Sequence, residues 1–135
     1  MGLDNGLCVK RTEYTKNIPE LKRFEDDWDK KHEYDFTVAY FRKCYNIRHM
    51  IFDTVEGAVD NGDSKLLTKQ DIENIIAGLQ LFNEDNWQDN GGSIWEWEDE
   101  EWSYSYKLKQ DIENLKILRQ LMDKYDLEVY FYDSY

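Results

Sequence analysis

Both ends of this chain read as strands, and that fixes what it can fold into. Residues 6–12, Gly6-Leu7-Cys8-Val9-Lys10-Arg11-Thr12, alternate weakly and carry β-formers. The closing run Leu127-Glu128-Val129-Tyr130-Phe131-Tyr132 is β-branched and aromatic. Between them, apolar residues recur at helical spacing. The expectation is an α+β fold: about three to four helices packed on a small antiparallel sheet that includes the N- and C-terminal strands. A length of 135 residues fits a single compact domain spanning 1–135. Ten Tyr, six Phe and five Trp argue against disorder, and the lone proline, Pro19, leaves no Pro-rich linker to divide the chain.

The internal pattern predicts helices. Pro19 stands at the first helical position of one, and Ile18, Leu21, Phe24 and Trp28 follow at helical spacing. The charged run FEDDWDKKHEYD, residues 24–35, reads as a solvated face running into a loop. The longest pattern spans about Val38 to Asp60, where the stripes Tyr40-Cys44-Ile47-Ile51-Val55-Ala58 and Phe41-Tyr45-Arg48-Phe52-Val55-Val59 adjoin. It predicts a central helix buried over a wide arc, ended by the turn Asn61-Gly62-Asp63-Ser64.

The hexamer KQDIEN then occurs twice, at 69–74 and 109–114. Thr68 predicts an N-cap for the first copy, with Asp71 completing an approximate capping box and Ile72, Ile75, Ile76 and Leu79 facing inward. Leu108 cannot cap the second copy, so that helix is expected to start near Ser105 and run to Tyr125, burying Leu108, Ile112, Leu115, Leu118 and Met122. Two copies fall short of the roughly three units a stacked array needs, so the hexamer reads as two amphipathic helices using similar residues.

Charge bounds the function. Seventeen basic and 29 acidic residues give a formal net charge of −12. Such a chain repels phosphate backbones, so no direct nucleic-acid binding is expected; it suits an acidic face presented to a basic partner. Cys8 and Cys44 form no CxxC and read as reduced thiols of a cytoplasm. No apolar run approaches the roughly 20 residues of a membrane span. The N-terminus lacks a secretory signal, and Gly6 breaks the myristoylation pattern. No membrane partner is expected.

Chemical signatures are absent. There is no HExxH, no Cys/His cluster, no Walker lysine and no GxSxG. The chain is therefore read as non-catalytic, with no cofactor and no metal. Two stretches stand out. Arg42, Lys43 and Arg48, with Tyr45 and His49, form a possible grip for a phosphate-bearing ligand such as a nucleotide signal. Arg48 falls on an apolar stripe and must find a partner or snorkel, and the abundance of acids favours a structural ion pair. The second stretch is Trp95, Glu96, Trp97, Glu98, Asp99, Glu100, Glu101 and Trp102, five acids among three indoles. As a strand it would bury Trp95 and Trp97 and solvate the acids. As an interaction edge, its acids would steer a basic partner and its rings would anchor it, imitating the charge of nucleic acid.

Three segments carry a resemblance. The opening Met1-Gly2-Leu3-Asp4, the run Tyr40-Phe41-Arg42-Lys43 and the ending Tyr130-Phe131-Tyr132-Asp133-Ser134-Tyr135 are similar to a family of small phage-encoded proteins of unknown function. Its members typically start MGLD-x-x-L, continue with a Tyr-Trp-Arg-Lys helix and end in an aromatic, Ser-containing tail. Some carry a phosphoglycerate kinase label, which nothing in this chain supports. Tyr45 stands where the family usually has Asn, and Arg48 where it has His. The resemblance implies a phage or prophage context and action in a bacterial host cytoplasm. It leads to an anti-defence or host-takeover factor that inhibits a host protein, possible homo-oligomer included, with the nucleotide-signal sponge as the alternative.

Overall fold

A computed structural model of the chain describes residues 4–42, 45–57, 64–82 and 108–134. In chain order these form β1 (Asp4–Val9), two 3-10 turns (Thr15–Asn17 and Pro19–Phe24), α1 (Asp27–His32), β2 (Phe36–Arg42), α2 (Tyr45–Thr54), β3 (Ser64–Leu66), α3 (Lys69–Leu79), α4 (Lys109–Lys124) and β4 (Val129–Ser134). The four strands make one antiparallel sheet in the order β2-β1-β4-β3. The fold is α+β, and the terminal strands lie at the centre of the sheet. They pair from Asp4 opposite Ser134 to Val9 opposite Val129.

Strand alternation divides the sheet into two faces. Asn5, Leu7 and Val9 of β1 and Val129, Phe131 and Asp133 of β4 are buried and face the helices. Phe52 of α2 meets Phe131 edge-on, with centroids 5.7 Å apart. α3 packs against both α2 and α4, and α4 also packs on β2. The other face carries Gly6, Cys8, Thr37, Tyr40, Tyr130 and Tyr132, as the register Gly6–Tyr132, Gly6–Tyr40, Cys8–Thr37 and Cys8–Tyr130 requires.

The expected central helix from Val38 to Asp60 is corrected. Its first part, Val38 to Arg42, is strand β2, so Tyr40-Phe41-Arg42 does not enter a helix and Tyr40 lies on the outer sheet face. Helix α2 begins only at Tyr45, and Ile47, Ile51 and the following Val55 keep their inward positions. A β-bulge explains the misreading. Ala39 pairs with Leu7 and Thr37 with Cys8, leaving Val38 as the extra residue. Phe36, Val38, Ala39 and Phe41 are therefore all buried, a spacing that breaks the strand period and imitates a helical one. The aromatic and β-branched content of the run settles the matter once β1 offers a partner. The Val38 carbonyl at the bulge accepts from Asn114 Nδ2 of α4 at 3.4 Å.

A second correction concerns residues 19–35. Pro19–Phe24 is a 3-10 turn that buries Leu21 and Phe24. Glu25 is extended, and this breaks the helical register. Trp28 thus leaves the face of Ile18, Leu21 and Phe24 and is 59% exposed. The charged run expected to enter a loop instead forms α1, with an Asp26/Asp29 capping box and no buried residue. Ser64, expected to close a turn, opens the short strand β3 beside Tyr130–Tyr132.

The two hexamers do form two helices, used differently. In α3, Thr68 Oγ1 accepts from the Asp71 amide at 3.1 Å, and an Asp71 carboxylate oxygen accepts from the Thr68 amide at 2.9 Å. In α4, Leu108 makes no side-chain cap, and Asp111 is buried where Asp71 is only half-buried. Both copies keep an i,i+4 bond from Gln to Asn, Gln70–Asn74 at 2.9 Å and Gln110–Asn114 at 3.2 Å. Ile72, Ile75 and Leu79 are fully buried, each burial contributing about 1.5–3 kcal/mol.

The central pairing requires a glycine. A Cβ on Gly6 would overlap the ring of Tyr132, which lies across it. Gly6→Ala is expected to cost about 1–3 kcal/mol by urea unfolding, and much less in a Tyr132→Ala background. Equal costs in the two backgrounds would disprove the ring contact as the cause.

Candidate functional site

Asp133 lies on a central strand, faces the helices and has a fully buried side chain. A carboxylate there needs donors. Arg48, on the inward side of α2, supplies a fork: Nε donates to Oδ1 at 2.8 Å and Nη2 to Oδ2 at 3.0 Å. Asn5 Nδ2 of β1 donates to Oδ1 at 2.5 Å. The Arg48 guanidinium also lies 4.5 Å from the Phe52 ring centroid, one helical turn on. The arginine singled out on an apolar stripe therefore bonds a structural carboxylate 85 positions away in sequence. The sequence placed Arg48 in doubt but gave no means of choosing Asp133 from 29 acids.

The rest of the cationic group is not assembled around Arg48 by the described residues. Arg42 closes β2 and Tyr45 opens α2; Lys43 and the side chains of Arg42 and Tyr45 lie outside what is described. His49 is exposed on α2, as is Asp53. The stretch Trp95–Trp102, Cys44 and residues 61–63 of the expected turn lie outside the described residues. Among the described residues no three of His, Cys, Asp and Glu come together to hold a metal ion, and no helix is long and apolar enough to cross a membrane.

The outer sheet face holds a polar cluster. Asp35 accepts from the Arg11 amide at 2.9 Å and from the Tyr130 hydroxyl at 2.5 Å. Cys8 lies beneath, its Sγ 3.9 Å from Thr37 Oγ1. Burial pushes the Cys8 thiol up to about 11, and burial together with Asp35 raises the Tyr130 phenol. A neutral buried thiol is a poor nucleophile, so the chemistry of this cluster is packing and hydrogen bonding. Beside it an open groove of about 420 Å³ is lined by Lys10, Asp35, Ser64, Leu66, Glu128 and Tyr130.

Other cations are also engaged. Arg11 pairs with Glu25 and lies 4.5 Å from the centroid of the Phe36 ring. Lys124 Nζ lies 2.7 Å from Glu20, which also accepts from the Tyr125 hydroxyl at 2.8 Å; Lys124 and then Tyr125 hold the Glu20 carboxyl below its ordinary range. Arg119 bridges Asp123 at 2.9 Å and Glu73 at 3.7 Å, tying α4 to α3.

The sequence reading missed an aromatic group on α1. The Trp28 and His32 rings lie 4.0 Å apart, and His32 stacks on Tyr34 at 5.4 Å. Trp28 and Tyr34 are 59% and 50% exposed. The available signal was the Asp26–Asp29 spacing, a capping box with Asp in place of Glu. No family model, no curated protein and no solved structure matches the chain.

Removing one partner of the core ion pair strands the other. Arg48→Ala is expected to cost about 3–5 kcal/mol by urea unfolding, and Arg48→Met with Asp133→Met less than the sum of the single changes. Additive costs would show that the pair is not coupled. For Cys8 the sign follows from its raised value: the folded state keeps the proton that the unfolded chain releases. Its contribution is present below about pH 9 and is lost between about pH 9 and 11. In a Cys44→Ser background, iodoacetamide at pH 8.5 (about the ordinary thiol value) should label native protein far more slowly than unfolded protein.

Proposed function

We propose that this chain is a non-catalytic phage or prophage protein that inhibits a host protein through an acidic, Trp-containing surface, acting as an anti-defence or host-takeover factor. The observation that carries this reading is the commitment of Arg48 to Asp133. The competing nucleotide-sponge reading needs that guanidinium for phosphate, and its fork is occupied by a buried carboxylate. Arg11, Arg119 and Lys124 are likewise paired with acids, while the whole chain retains a net charge of −12. An acid excess of this size attracts basic partners and repels phosphates. The indoles and carboxylates of Trp95–Trp102 supply anchors and steering charge in one short stretch. The phage and bacterial-cytoplasm setting rests on the three segments of resemblance.

The test is affinity capture from bacterial lysate, followed by binding of the purified partner. Affinity is expected to fall by about tenfold or more as salt rises from about 50 to 300 mM, as screening dictates. A variant carrying Glu96→Gln, Glu98→Gln, Glu100→Gln and Glu101→Gln should weaken binding further. Salt-independent binding, or full affinity in the variant, would refute the acidic-surface mechanism. A melting temperature raised by nucleotides would instead favour the sponge.

A further inference from the structure

Helix α1 is built with care yet contributes nothing to the core. Its N-terminus is held by reciprocal bonds: the Asp29 amide donates to Asp26 Oδ1 at 2.8 Å, and the Asp26 amide donates to Asp29 Oδ2 at 3.4 Å. Its C-terminus closes in a Schellman arrangement, the Glu33 amide returning to the Lys30 carbonyl at 3.3 Å and the Tyr34 amide to Asp29 at 3.0 Å. That closure places Glu33 at φ 56°, where a glycine is usual; a side chain there costs on the order of 1 kcal/mol. The strained turn delivers Tyr34 onto His32, and His32 Nδ1 lies 3.0 Å from the Trp28 carbonyl. The result is three rings in contact on the outside of the molecule, Trp28 tilted on His32 and His32 stacked on Tyr34, with Trp28 and Tyr34 at least half exposed and no residue of the helix buried.

Exposed indoles fixed in place are characteristic anchors of protein interfaces. We propose that the Trp28–His32–Tyr34 cluster is a docking face for an arginine-bearing segment of a partner protein. Charge complementarity selects the occupant. Of the six acids between residues 25 and 35, Glu25 pairs with Arg11 and Asp35 accepts from the Arg11 amide and Tyr130, which leaves Asp26, Asp27, Asp29 and Glu33 against Lys30 and Lys31. Asp26, Asp27 and Glu33 are exposed on the same short segment as the rings. A guanidinium suits this surface better than an ammonium, because its plane stacks on an indole while its edge bonds a carboxylate. This face is distinct from Trp95–Trp102, and the proposal rests on reading the chain as an acidic binding protein.

The experiment uses the full chain and a ten-residue peptide of alternating Arg and Gly, with its Lys counterpart, followed by calorimetry and by the indole N–H resonance of Trp28, assigned through Trp28→Phe. The Arg peptide is expected to shift that resonance and to bind more tightly than the Lys peptide. Trp28→Ala should weaken it about tenfold or more, as loss of an anchor does, and Trp28→Phe less. Because α1 buries nothing, Trp28→Ala should retain the native circular dichroism; should it not, the resonance shift in the unaltered protein decides. Binding within about twofold of normal in Trp28→Ala, with the indole unmoved, overturns the proposal as generic charge attraction. If the peptide loses affinity in the Glu96, Glu98, Glu100 and Glu101 to Gln variant but not in Trp28→Ala, only the α1 proposal falls. No binding of either peptide overturns both.

Discussion

The structure depends on a carboxylate that has no access to water. Asp133 faces the helices from the last strand, and among the described residues Arg48 meets its charge with two bonds and Asn5 with a third. Desolvating two ions costs several kcal/mol each, so only close, two-point geometry makes the pair hold. The consequences spread outward. Asn5 and Asp133 are directly paired in the sheet, so the interaction joins the two ends of the chain to one helix. Arg48 facing inward fixes the rotation of α2, which turns Ile47 and Ile51 to the core and leaves His49 and Asp53 exposed.

The same economy shapes what the molecule offers to others. Cations are drawn into pairs that fasten elements: Arg48 onto the sheet, Arg11 beside Glu25, Arg119 between α3 and α4, and Lys124 onto the Pro19–Phe24 turn. The exposed pairs, Arg119 with Asp123 and Lys124 with Glu20, contribute little to stability, but each also engages a positive group at the surface. The sheet stores its own thiol and phenol in neutral form, Cys8 under the pair of Tyr130 and Asp35. α1 stands apart from both arrangements. Its caps and its ring contacts hold it, and none of its residues is buried.

Some elements were legible because their cause is local. Thr68 and Asp71 announce a helix start through a bond pattern that spans four residues, and it forms as read. The terminal strands were legible from their β-branched and aromatic content, although their limits lie two to three residues from those read. The bulge at Val38 was not legible, because its period matches a helix and only pairing with β1 decides between them. The candidate site divides the same way. Arg48 was conspicuous as a cation on an apolar stripe, but its partner required the fold. Trp28 looked inward by spacing until the extended Glu25 broke the register.

By itself the sequence determined an α+β chain with joined ends, two capped or uncapped amphipathic helices from one repeated hexamer, and an acid excess that bounds its partners. These follow from composition and from interactions within a few residues. Only the tertiary structure decided which acid neutralises Arg48, which residue bulges from β2 and that Trp28 faces water. Each of those outcomes is a competition among distant groups with equal local claims, and the pairing of strands and the burial of charge resolve it.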